Sequence, residues 1–360
     1  MQTPMNFLSR SAAVCAIAGS VCFTAVAGVH RGTLPPGKPP AERNAALVYW
    51  KAWTMFDEQA LKANIDWNQI GDNLDPAKMP EEFTKTAQTI SQWRDSIDGL
   101  MVASTMPVCD FELAYEHGFQ LLLPHLSKFR AGARMLRVDA RRLLMEHKPE
   151  EAAERVAAML RSSRQLRTEG VLISSLVGMA VASNAIDEAE VMIESGRLTP
   201  AAARTIEVAL DPLGEPDSLG VRACVAGEGE IMQSWLATRF TGPTAGKDFI
   251  EQWIDAYGVG SPTAPKDESY LAAKRQVSGM NGEALAGGVT RMLDAYKLVD
   301  AAWDTPDAPA AIDVISESVR RGEYGPLAVL VFPSFGKSRA SVAKFDTRVA
   351  EVSQRLGEVK

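Results

Sequence analysis

The stretch PHLSKFRAGARMLRVDARRLLMEHKPEEAAERVAAMLRSSRQLRTEGVLISSLVGMAVASNAIDEAEVMIESG, residues 124–196, decides the fold. In its first part Leu126, Phe129, Ala133, Leu136, Ala140, Leu143 and His147 recur in alternating steps of three and four. That spacing keeps one helical face apolar for about six turns. His147-Lys148-Pro149 breaks the pattern, and Pro149 with Glu150 and Glu151 opens a second helix. Proline at the first helical position forfeits no hydrogen bond, and acids there suit the positive end of the helix dipole. The second helix carries Ala152, Val156, Met159, Ser163 and Leu166 inward, with Gly170 as C-cap. A third, Val171 to Ser195, is apolar almost all round in its first half and must lie between neighbours.

Working outward, helical spacing recurs and strand alternation does not. Ala46, Tyr49, Trp53, Phe56 and Ala60 form the inner face of a helix beginning near Ala41, with Trp50 beside them. Asn68 to Pro80 is polar and turn-rich. Phe83, Ile90, Trp93, Ile97 and Leu100 share a face between Glu81 and Ser104, ended by Met106-Pro107. Thr199-Pro200 caps and opens another helix. Asp211 to Asp217, with Pro212, Gly214 and Pro216, is a loop and the candidate subdomain boundary. Further helices are expected over Leu219–Arg239, over Lys247–Tyr257, and along Leu285, Val289, Met292, Tyr296, Val299 and Trp303. A short one runs from Ala310 to Arg321, and a last one carries Val342, Phe345, Val349, Val352 and Leu356. Leu327 to Phe332 is the one strand-like run. The expectation is an all-α protein of antiparallel helical hairpins stacked in an irregular α-solenoid-like bundle. Leu136, Ala140 and Leu143 followed by Ala152 and Val156 match the spacing of one tetratricopeptide unit. The tryptophan, tyrosine and closing proline of that repeat are missing, and no second copy follows.

Composition sets the outer bounds. The chain has 360 residues, 46% hydrophobic and 23% charged, which supports a sizeable core and excludes wholesale disorder. Its net charge of -7 is unlike that of a general nucleic-acid binder. Ser11 to Val29 is uncharged behind Arg10, and Ala25-Val26-Ala27 is a small-x-small cleavage site. Residues 1–27 therefore read as an export signal, with an uncleaved membrane anchor as the competing reading. Neither Cys15 nor Cys22 follows a small residue, as a lipidated cysteine would. Cleavage would leave Cys109 and Cys224, enough for one disulfide or two buried thiols. Residues 28–40 form a proline-rich spacer, 41–210 an N-terminal helical domain with the hairpin, and 211–360 a C-terminal helical subdomain. The expected location is periplasmic, cell-envelope or extracellular, with the membrane touched only through an uncleaved N-terminus.

Asn44-Ala45-Ala46-Leu47-Val48-Tyr49-Trp50, Cys109-Asp110-Phe111 and Leu123-Pro124-His125-Leu126 together resemble a group of exported bacterial helical proteins with no assigned activity. The likeness covers roughly the N-terminal half. It implies a helical, repeat-like fold and brings no catalytic residue.

Cys109, Asp110, Glu112, Glu116, His117 and His125 form the densest cluster of chemical side chains, and all are metal-ligand types. Helical ligands sit three or four apart, whereas these histidines are eight apart with Pro124 between them, so no metal is expected. Ser334-Phe335-Gly336-Lys337 matches S-x-x-K without its companion motifs. Gly336-Lys337-Ser338 lacks the first glycine of a phosphate loop, since residue 331 is valine; Gly242 to Lys247 is one residue short.

Charge placement is the most informative polar feature. From His125 to Gly170 there are 11 basic and 6 acidic residues. Arg134, Arg137 and Arg141 fall on one stripe, and Arg161 and Arg164 lie a turn apart on the next helix. Exposed on one side and unpaired with acids, these rows would make a basic groove for an acidic peptide, glycan or phosphate. The leading expectation is an exported, non-catalytic binding or scaffold protein without cofactor that recognises a protein or peptide. The alternatives are an envelope hydrolase or metal-dependent enzyme centred on residues 109–125, and a purely structural envelope component.

Overall fold

The three central segments form the helices their spacing predicts. The computed structural model describes residues 43–63, 74, 76–255, 268–333 and 335–359. Outside them lie the export segment, the spacer, Cys15, Cys22, Ser334, the polar run 68–73 and the end of the Lys247–Tyr257 segment. Among the described residues there are fourteen α-helices. In chain order they are α1 (Ala45–Lys62), α2 (Pro80–Ile90), α3 (Arg94–Ser104), α4 (Pro124–Met145), α5 (Pro149–Gln165), α6 (Leu172–Glu194) and α7 (Pro200–Leu210). There follow α8 (Val221–Arg239), α9 (Ala245–Phe249), α10 (Glu268–Ser278), α11 (Gly282–Ala302), α12 (Ala308–Arg320), α13 (Pro326–Val331) and α14 (Phe335–Gly357). Tight 3-10 turns connect some of them, notably Tyr115–Gln120 and Leu166–Glu169. The one backbone bridge joins Asn44 to Val108, so the described residues hold no strand and the protein is all-α.

Helix α5 is the axis. Ala152, Ala153, Val156, Ala157, Ala158, Met159 and Leu160 are all fully buried, so the helix is enclosed nearly all round. Its alanines let neighbours come close: α3, α4, α6 and α7 all pack on it. At Gly178 of α6 the approach is tight enough that an added Cβ would lie 2.7 Å from the Ser163 carbonyl oxygen. The described residues gather into one unit, in which α14 returns to lie against α6 and α7. The helices thus close on themselves as an irregular bundle, and the turn at Asp211–Leu213 lies within it.

Most expected inner faces are buried, including those of α1, α11 and α14. Thr199 caps α7 by accepting from the Ala202 N–H at 3.2 Å. Gly170 takes the left-handed conformation, with φ 65°, that the expected C-cap requires. Four details differ. His147 does not continue the apolar face of α4: its backbone turns left-handed, at φ 62°, and the side chain is exposed. The segment Glu81 to Ser104 is two helices, because the chain turns at Ser91–Trp93 to set Trp93 edge-on against Phe56. The run Leu327–Phe332 is not a strand. Pro326 follows Gly325 and opens the short helix α13, which buries Leu327, Ala328 and Leu330. The Lys247–Tyr257 segment begins as α9 and widens into a π-helical stretch, Ile250–Asp255.

Buried ion pairs fix how α4 meets its neighbours. Arg141 forks onto Glu188 of α6, with Nε to Oε1 at 3.1 Å and Nη2 to Oε2 at 2.7 Å. Glu188 is 0% exposed, and Arg137 Nε stands 3.5 Å from it as well. On another side of α4 the buried Asp139 accepts from Arg142, and from Arg155 of α5 at 2.9 Å. Removing one partner of such a pair strands a buried charge. Arg141→Met should therefore cost about 3 kcal/mol in urea unfolding. Arg204→Met, in the exposed pair with Glu207, should change stability by less than about 0.5 kcal/mol. Equal small effects would show that the buried pair does not hold α4 against α6.

Candidate functional site

The three segments behind the sequence resemblance meet in space. Asn44 caps α1 by accepting from the Ala46 N–H, and latches the connection between α3 and α4: its Oδ1 accepts from Asp110 N at 2.9 Å while its Nδ2 donates to the Asp110 carbonyl. This seats Phe111 between Trp53, at 6.0 Å, and the His125 ring, stacked at 4.2 Å. His125, on the first turn of α4, is 1% exposed. Its Nε2 lies 2.9 Å from Oε1 of buried Glu169, in close contact but out of line for a hydrogen bond. Tyr115 donates to the Glu169 carbonyl at 2.7 Å.

The side chains of the alternative, metal-dependent reading are not brought together. His125 turns inward to Glu169, while Glu116 and His117 are exposed on the 3-10 turn and Asp110 is exposed with its main chain tied to Asn44. Among the described residues no three His, Cys, Asp or Glu side chains are grouped to hold a metal ion. Cys109 and Cys224 are free thiols. Burial, with the negative charges of Glu169 and Asp110, pushes Cys109 up to about 12, and burial lifts Cys224, which lies against Ser175 Oγ at 3.2 Å, to about 11. Neither is ionised near neutrality, so neither has the thiolate that nucleophilic chemistry needs.

The arginine rows do not form the expected exposed groove either. Arg141 is buried on Glu188, Arg137 faces the same carboxylate, and Arg134 is half-buried and engaged. Arg161 turns to α3, with Nε 3.4 Å from Ser104 Oγ, and also reaches Glu154. Arg164 is half-buried, and burial beside Arg167 lowers its pKa. The stripes were correctly spaced, but their faces point to different neighbouring helices.

What the fold does leave open is a cleft of about 290 Å³ lined by Gly118, Leu121, Leu123, Val171, Ile173, Glu228, Ile231 and Met232. Its walls are held by the contacts just described. His125 and Glu169 pin the chain two residues from Leu123 and from Val171. The Tyr115–Gln120 turn packs on α8, where Gly118 adopts φ 53° and sits so close to Trp235 that a Cβ would run into the ring. Helix α6 is preceded by Val171, which has no polar side chain to cap it, and Glu228 of α8 supplies the missing acceptor, taking the Leu172 N–H at 3.0 Å. Ile173 is 48% exposed and Leu122, between two lining residues in sequence, 81%.

Glu228 and the cleft were missed from sequence. One signal was present: glycines at 227 and 229 flank it inside a helical segment, where each costs about 1 kcal/mol of helix propensity. Both mark close approach, since a Cβ at 227 would sit 2.9 Å from the Gly170 carbonyl oxygen and one at 229 would meet Leu293.

No protein-family model, curated protein or solved structure matches the chain.

Burial raises the Glu228 carboxyl from 4.5 to about 7, opposed by the Leu172 N–H. The folded protein therefore holds a proton that the unfolded chain releases at lower pH. Its contribution to stability is present below 4.5 and is lost as pH rises to about 7. Relative to Glu228→Gln, the wild-type protein should lose stability in urea between pH 5 and 7.5. A difference that stays flat, or grows with pH in favour of wild type, would contradict this environment for Glu228.

Proposed function

We propose that the protein is an exported, non-catalytic helical binding or scaffold protein of the cell envelope. In this reading it recognises a protein or peptide partner by taking an apolar segment of that partner into the cleft between the 3-10 turn, the start of α6, and α8. The observation that carries this reading is the cleft itself: six of its eight lining residues are Leu, Val, Ile or Met, and Ile173 on its wall is nearly half exposed. An apolar surface kept open to water is costly unless something covers it. Pockets of roughly this size and lining are where ligand groups are usually held. The export half of the proposal rests on the sequence of residues 1–29.

An acidic partner was suggested by the arginine rows. With Arg134, Arg137, Arg141 and Arg161 engaged by neighbouring groups, the cleft favours an apolar segment. The inward pairing of His125 with Glu169 and the raised thiols support a holding role for the groups that an enzyme centred on residues 109–125 would need.

Selection of random peptides on the immobilised full chain tests the proposal. Selected peptides should be rich in apolar residues, and Ile173→Asp should weaken their binding at least tenfold. Leu61→Asp, at an apolar side chain of α1 that is 82% exposed and outside the cleft lining, should leave it unchanged. Acidic peptides whose binding survives Ile173→Asp would return the role to the arginines.

A further inference from the structure

The cleft contains one charge-bearing group, and its placement says more about the occupant than its apolar walls do. Among the described residues that line the cleft, Glu228 is the single acid, and none is a lysine, arginine or histidine. Its Oε1 is taken by the Leu172 N–H, and among the described residues it makes no ion pair. Capping a helix start does not require a charge, since a serine, asparagine or glutamine oxygen accepts the same bond. A carboxylate in apolar surroundings without a cation is expensive, and the cost falls when a cation is brought to it.

We propose that the cleft recognises a primary ammonium group carried on an aliphatic chain, with Glu228 as the residue that selects it. The aliphatic part lies along Leu121, Leu123, Ile173 and Ile231, and the ammonium donates to the carboxylate oxygen that α6 does not use. A lysine side chain set among apolar residues of a peptide has this chemistry, so the inference rests on the proposed peptide-binding role and specifies its ligand. The raised pKa of Glu228 agrees with a carboxyl that lacks a cation of its own, and a bound ammonium would lower it.

Hexylammonium, hexanol and hexanoate, added separately to the full chain at pH 8.5, share one aliphatic body and differ in charge. At this pH Glu228 is ionised and the amine protonated. Binding is read from the methyl NMR signals of Ile173, Ile231 and Met232. Hexylammonium should bind about tenfold more tightly than hexanol, as a charge-assisted hydrogen bond requires, and hexanoate most weakly. Glu228→Gln keeps an acceptor for Leu172 and should bring hexylammonium down to the level of hexanol. Should that variant fail to fold, the ratio of amine to alcohol on the wild-type chain decides alone. Equal binding of amine and alcohol would overturn the ammonium assignment and leave an apolar cleft. Unshifted methyl signals with all three probes would overturn both it and the cleft reading. An apolar peptide with one lysine, compared with the same peptide carrying norleucine, locates the source. Preference for lysine supports both proposals. Preference for hexylammonium alone would keep the ammonium site and remove the peptide from it.

Discussion

The structure depends on how closely other helices can approach α5. A helix enclosed by four neighbours cannot carry large side chains on every side without pushing some of them away. Alanine at 152, 153, 157 and 158 and serine at 162 and 163 keep α5 slim, and all six are buried. Gly178 lets α6 come against its backbone near Ser163. Gln165 near its end then ties in more distant parts: Nε2 donates to the carbonyls of Ala103 and Met106, and Oε1 accepts from Tyr49 of α1 at 2.6 Å. Because small side chains leave little area for the hydrophobic effect, buried charges take part of the orienting role. Glu188 and Asp139 fix α4 against α6 and α5, each with arginine.

This framework explains where the cleft is. The 3-10 turn Leu166–Glu169 that ends α5 delivers buried Glu169 to His125, and the next residues, Gly170 and Val171, lead into α6 without a side-chain cap. The chain therefore needs an acceptor from elsewhere, and Glu228 provides it from α8. Gly227 lets α8 come against Gly170, near enough for the bond, while Gly229 makes room on α8 for Leu293 of α11. The Leu172 N–H at the start of α6 thus draws a carboxyl into apolar surroundings, and the lining residues gather around it.

The sequence made most of the helices legible because periodicity reports which residues face inward, whatever they face. Ala46, Tyr49, Trp53, Phe56 and Ala60 on α1, and Val342 to Leu356 on α14, are buried as their spacing requires. Periodicity does not report which neighbour a face meets. Arg137 and Arg141 were correctly placed on one stripe, yet their meaning depended on Glu188, some fifty positions later and unremarkable by itself. His125 likewise read as a helix-start residue near other ligand types, and its partner Glu169 lay beyond a full helical hairpin. The short apolar run 327–332 was ambiguous for another reason: six residues are too few to separate a buried helix from a buried strand. The cleft itself is assembled from three separate segments, and only the glycines around Glu228 hinted at it.

Native-state hydrogen exchange on the full chain tests the central claim that α5 is the axis on which the bundle is built. Amides enclosed on every side open only with global unfolding. Residues 152–163 should therefore be the slowest to exchange, with protection equal to the global stability from urea unfolding, and peripheral α12 should open at lower free energy. Exchange of α5 at the rate of α12, well below the global value, would contradict the account.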